Sequence, residues 1–205
     1  MGNASVPSGD RAATRVVLRT VLLLLAFALP GSILDVTTTE LARRDGGFVE
    51  LNPKGFLPLH QSILMELGWV SLCVVVVAVG AHFRREALRA APDATSEQFV
   101  EGLFARHAWA VPLLWMPHFS ALFRYPVVIS NACYLTLRWS PIDAVLLSPL
   151  ERLFHDDALA YFVSILVGVL VLWHPATTLI VRALYAVHRA GQNTPQQAQH
   201  LTGWT

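Results

Sequence analysis

Four long apolar runs, each interrupted or ended by a few polar residues, set the pattern of this chain. The first, VVLRTVLLLLAFALPGSIL from Val16 to Leu34, is long enough to cross the ~30 Å hydrocarbon layer as a helix. With the amphipathic turns that follow, it predicts a span over residues 16–42. Further spans are predicted over 58–84, 107–139 and 158–188. The third is over-long for a simple crossing and contains Pro112, Pro117 and Pro126. It reads as one kinked, tilted helix; two half-helices broken at Tyr125-Pro126 are the alternative.

Between the second and third runs, Arg84 to Arg106 is the most soluble part of the body. Pro92-Asp93 marks a break there, and Thr95-Ser96-Glu97-Gln98 opens a capping box. Phe99, Leu103 and Phe104 give the following helix an apolar stripe, so this linker is expected to lie at the membrane surface. Ser140 to Asp157 reads as a short interfacial helix. Residues 1–15 read as a disordered tail and 191–205 as a polar tail. The fold class is therefore an all-α integral membrane protein of about four transmembrane helices, with one amphipathic surface linker and a single membrane domain over 16–190.

The polar positions inside these runs fall on faces. Gly31, Asp35, Thr38, Thr39 and Ala42 recur at helical spacing beyond a kink expected at Pro30-Gly31. Glu66 stands about two turns inside the second span, on the side of Ser62 and Cys73. Ser120, Arg124 and Asn131 share a face of the third, and His174, Thr178 and Arg182 line up in the fourth. A charge facing acyl chains costs at least about 2.5–3.5 kcal/mol, so these faces must turn toward protein or water. Arg124 is expected to pair with Glu66 or Asp35, in a polar cluster with Thr38, Thr39, Glu50, Asn52 and Asn131. His60, His118 and His174 are candidates for proton or ligand contacts.

Composition agrees with the membrane class: 54% hydrophobic and 14% charged residues, with a mean hydropathy of +0.49. Soluble domains carry roughly 25% charged residues. A net charge of +1 with arginines scattered at segment ends excludes the concentrated basic face that nucleic-acid binding needs. Arg and Lys near the segment ends number seven (Arg11, Arg15, Arg84, Arg85, Arg89, Arg106, Arg189) against five (Arg43, Arg44, Lys54, Arg138, Arg152). That excess puts both termini on the cytoplasmic side. The early arginines and apolar core also fit a signal peptide, but Leu29-Pro30-Gly31-Ser32 matches a cleavage site poorly. Cys73 and Cys133 lie within apolar segments and read as buried thiols.

Asp35-x-x-Thr38-Thr39, then Gly46-Gly47, then Glu50-Leu51-Asn52-Pro53, resembles the signature of an uncharacterised family of small bacterial polytopic membrane proteins. The resemblance covers about 20 residues, Arg124 and Asn131 being similar to a later pair in that family. The third threonine and the long Arg84–Arg106 linker depart from it. It implies topology and a shared polar site, not a reaction; the chain as a whole reads as a bacterial inner-membrane protein. No nucleophile elbow, zinc helix or phosphate-cradling glycine loop is present. No cofactor or metal site is expected, and Asp143, Glu151 and His155-Asp156-Asp157 read as solvated loop acids.

Three roles remain from the residues alone. The first is an accessory, assembly or scaffolding component, in which the charges fasten helices together and the partners are membrane lipid and another membrane protein or a second copy. The others are an oligomeric transporter or channel for a small solute or ion, and an intramembrane enzyme with Asp35 and Glu50 or Glu66 as acid and base, or with His60 and His118 as metal ligands.

Overall fold

The computed structural model describes residues 8–45, 57–90 and 93–202, and every regular element among them is helical. Helix α1 spans Ser8–Asp45 and runs through Pro30 without a break. Its start corrects the expected tail: residues 8–15 already belong to the helix. Helix α2, Leu59–Phe83, begins directly after Pro58, whose carbonyl accepts from the amides of Gln61 and Ser62 at 2.8 and 3.1 Å. A proline there is tolerated because the first turn's amides lack intrahelical partners anyway.

In the linker, helix α3 spans Ser96–Phe104 and starts on the capping box read from the sequence. The Thr95 hydroxyl accepts from the Gln98 amide at 3.2 Å, and the Gln98 side chain accepts from the Thr95 amide at 3.0 Å. Phe99 and Leu103 are buried, whereas Phe104 is 59% exposed and leaves the stripe that was expected to include it. A 3-10 turn over Ala108–Ala110 leads into α4, Val111–Leu137. Helix α4 is a single element and not two half-helices. A π-helical turn, Asp143–Leu147, passes into α5, Ser148–Phe154. Helix α6, Asp157–Thr202, takes in residues 191–202, which were expected to form part of a polar tail. The Asp156 side chain accepts from the Leu159 amide at 2.9 Å, so one of the loop acids caps α6.

Helices α1, α2 and α6 contain stretches long and apolar enough to cross a membrane, within Arg11–Asp45, Leu59–Phe83 and Leu159–Gln192, where an 18-residue window has a mean hydropathy of 2.1, 2.3 and 1.9 respectively. By length and composition this is a membrane protein. Helix α4 is also long enough, about 40 Å at 1.5 Å per residue, yet His118, Arg124, Asn131 and its three prolines lower its hydropathy and set it apart from the other three. Its polar groups turn inward: His118, Ser130 and Asn131 are buried.

The surface is inverted relative to a soluble domain. Leu64, Leu67, Leu72 and Val75 of α2, and Phe162, Leu170, Val171 and Trp173 of α6, are all more than half exposed. Buried positions include Thr20, Ser32, Thr38, Ser164 and His188. Lipid removes the hydrophobic drive between helices, so packing by small residues and interhelical hydrogen bonds holds them instead.

The chain divides into two compact units. One gathers α1 through Ala26, the chain from Leu72 to His118, and α6 from Thr177 onward. Its core includes Leu24, Val77, Leu88, Leu114 and Ile180. The other comprises Phe27–Ser71 and Phe119–Ala176, where small residues Ala28, Ala42, Ala121 and Ala160 are fully buried. The candidate site lies within the second unit.

Candidate functional site

Asp35 projects from α1 on the face it shares with Thr38 and Thr39, and Glu66 projects from the second turn of α2. Arg124, near the middle of α4, meets both. Its Nη1 donates to Glu66 Oε2 at 2.5 Å and to Asp35 Oδ2 at 3.3 Å. The guanidinium carbon lies 4.0 Å from the centre of the Trp69 ring. Glu66 and Trp69 stand three residues apart on α2, so one helical face supplies both the carboxylate and the aromatic platform. Two turns further along α4, Asn131 donates to the Thr38 and Thr39 hydroxyls at 3.5 Å each. The Thr38 hydroxyl in turn donates to the Asp35 carbonyl at 3.3 Å.

These groups are not sealed by packing. The side chains of Arg124, Asp35 and Glu66 keep 17%, 27% and 22% of their surface accessible. All three line a cavity of about 780 Å³ within this unit, inside the ~300–1,000 Å³ range of small-molecule sites. Among the described residues, the charged ones that line it are Asp35, Glu40, Glu66, Asp143, Arg43 and Arg124. Glu40 is bound by Arg43 at 2.7 and 2.8 Å and by Arg44 at 3.0 Å. Hydroxyls of Ser62, Ser120 and Ser164 and the rings of Phe123, Tyr134 and Tyr161 complete the wall.

The three expected histidines do not join this group. Glu50 and Asn52 lie outside the described residues. His60 is exposed at the start of α2, and His174 is exposed on α6. His118 belongs to the other unit, fully buried, and its Nδ1 donates to the Leu114 carbonyl at 2.6 Å. His60 and His118, considered together as metal ligands, thus fall in different units.

Several participants escaped the sequence reading. Trp69 was not among the residues expected at the site, although its three-residue spacing from Glu66 signalled a shared face. The Glu40, Arg43 and Arg44 cluster was legible from the same spacing rule. Tyr134, Asp143 and Tyr161 carry no such local signal, because only tertiary packing brings them to the cavity. No family model, no curated protein and no solved structure matches this chain.

Proposed function

We propose that this is a four-span membrane protein that takes a small charged solute into the cavity around Arg124, as a carrier or channel component. One observation carries the reading: the Asp35–Arg124–Glu66 trio opens onto a solute-sized cavity, where a mere fastener would be packed shut. A charge placed among membrane-length helices and facing a cavity marks a solute or ion path more often than a structural tie. In this reading α4 is the fourth crossing, shielded from lipid by its neighbours. The resemblance of the Asp35 to Pro53 stretch to small bacterial membrane proteins, together with the arginine asymmetry, supports an inner membrane with both termini cytoplasmic. Four spans are few for a monomeric carrier, which favours self-association.

Native mass measurement of the full chain in mild detergent tests this. The expected result is a homo-oligomer releasing a small molecule on denaturation, with that molecule absent from Arg124→Gln or Glu66→Gln. A stoichiometric second protein with no small molecule would return the chain to the accessory role.

A further inference from the structure

Arg124 reaches the cavity with one edge unused. Only its Nη1 engages the two acids, at 2.5 Å to Glu66 and 3.3 Å to Asp35, while the guanidinium carbon lies 4.0 Å from the Trp69 ring centre. Nε and Nη2 donate to no protein group among the described residues, and neither atom is buried. Two parallel N–H bonds along one edge of a guanidinium form the fork that holds the paired oxygens of a carboxylate. Glu66 and Trp69 fix Arg124 in place, so little further rotamer freedom is lost when that fork is filled. Ser120 and Ser62, one turn before Arg124 and Glu66 on their helices, line the same cavity and offer hydroxyl donors to an oxyanion head.

The rest of the cavity suits a hydrocarbon. Helix α6 contributes Ile165, Val171 and Leu172, and the π-helical turn adds Leu146 and Leu147. The volume, about 780 Å³, far exceeds what a carboxylate alone would fill. Met65 of α2 and Val171 of α6 line the cavity and are also 55% and 68% exposed, so in a membrane its boundary runs out onto the surface that faces acyl chains. We infer that the cavity is a site for a membrane-borne amphiphile of fatty-acid type, its carboxylate head on the Nε–Nη2 edge of Arg124 and its chain along α6. This rests on the solute-binding reading above and names the class of the solute. A singly charged head is favoured over a doubly charged phosphate because Glu66 stands 2.5 Å from the same guanidinium and repels the second charge. An ammonium head would meet only N–H donors on that edge.

Photolabelling of the full chain in phosphatidylcholine nanodiscs provides the test, with a decanoate that carries a diazirine on its chain, at mildly alkaline pH so that the carboxyl group is ionised. Saturable labelling of the α4 and α6 positions that line the cavity is expected, with protection by unlabelled decanoate at least about ten-fold stronger than by decanol or decylammonium. Arg124→Lys keeps the charge and loses the fork, so decanoate should protect that variant no better than decanol does. Loss of a merely structural arginine does not produce such a loss of head selectivity. Where Arg124→Lys fails to fold, the comparison of decanoate, decanol and decylammonium on the parent chain carries the test by itself. Decanol or decylammonium protecting the parent as well as decanoate does would overturn the inference, as would stronger protection by decyl phosphate, or full head selectivity in Arg124→Lys. Butyrate protecting as well as decanoate would overturn the amphiphile and leave the charged-solute reading standing. Absence of saturable labelling in the cavity would overturn the inference too, while the native mass measurement above decides the solute-binding reading separately.

Discussion

His188 donates its Nε2 proton to the Thr20 hydroxyl. The two atoms are 3.1 Å apart, and the single hydroxyl hydrogen of Thr20 is already directed to the Val16 carbonyl at 2.9 Å. The imidazole must therefore be the donor, which fixes its tautomer and ties α6 to α1 within the first unit. Both side chains are buried, at 1% and 0% exposure.

Thr20→Val, nearly isosteric, leaves that buried N–H without an acceptor and is expected to cost about 1–3 kcal/mol. Thr20→Ser keeps the acceptor and should unfold close to the parent. The pair Thr20→Val with His188→Phe removes both partners, so its loss should be smaller than the sum of the singles. Thermal unfolding followed by circular dichroism in one detergent reads all four proteins.

Two glycines of α2 should respond in opposite directions. A Cβ on Gly80 would lie 3.0 Å from Leu113 Cβ and 3.2 Å from the Leu114 backbone nitrogen, where no flexible side-chain end can give way. Gly80→Ala is expected to lose about 1–3 kcal/mol by forcing α2 and α4 apart. A Cβ on Gly68 meets nothing within 4 Å. Gly68→Ala should gain about 0.5–1 kcal/mol, since glycine in a helix interior carries the larger loss of backbone freedom. Unfolding midpoints of the two variants in the same micelle check the sign of each.

What the sequence made legible follows from how local each signal is. The α3 capping box needs only residues 95 to 98, and it was readable there. The meeting of Arg124 with Glu66 and Asp35 followed from a general rule, that unlike charges in a low-dielectric setting find one another. Trp69 was missed because spacing from Glu66 gives a shared face but not which cation that face meets. Of the disordered tail expected over residues 1–15, residues 8–15 are helical because they continue the apolar helix α1 and need no apolar face of their own. His174 aligned on paper with Thr178 and Arg182, yet it is exposed; periodicity gives a face but not what that face meets.

Arg84 is the clearest case of a charge that composition could not place. Counted from the sequence as one of four linker arginines, it is 4% exposed and donates to the carbonyls of Gly102 and Arg106. Those carbonyls lie at the C-terminal end of α3 and just past it, where helix acceptors lack intrahelical donors. Burial pulls the guanidinium below its ordinary pKa, with Glu86 opposing, but an arginine so placed stays charged at neutral pH. Arg84→Met should cost about 1.5–3 kcal/mol, the range for hydrogen bonds from a charged donor. Arg84→Lys should recover only part, because one ammonium on a flexible stem cannot reproduce a fork serving two carbonyls. Faster protease cleavage between residues 93 and 107, with the rest of the chain intact, is the expected signature.

The trio at the cavity predicts an order of stabilities that a simple ion pair does not. Removing Arg124 leaves two carboxylates facing each other, so Arg124→Gln should be the most damaging of the single changes. Breaking a fully buried pair costs about 3–5 kcal/mol; side chains that keep 17–27% of their surface accessible call for a discount, to about 2–3 kcal/mol. Glu66→Gln gives up the 2.5 Å contact but leaves Arg124 balanced by Asp35, and should cost less. Asp35→Asn gives up the looser 3.3 Å contact with Arg124 and should cost less than Arg124→Gln. Adding Glu66→Gln to Arg124→Gln removes one of the two facing acids, and part of the lost stability should return. A double-mutant cycle of unfolding free energies measures that coupling directly; a double variant no more stable than Arg124→Gln alone would show that the two acids do not feel one another.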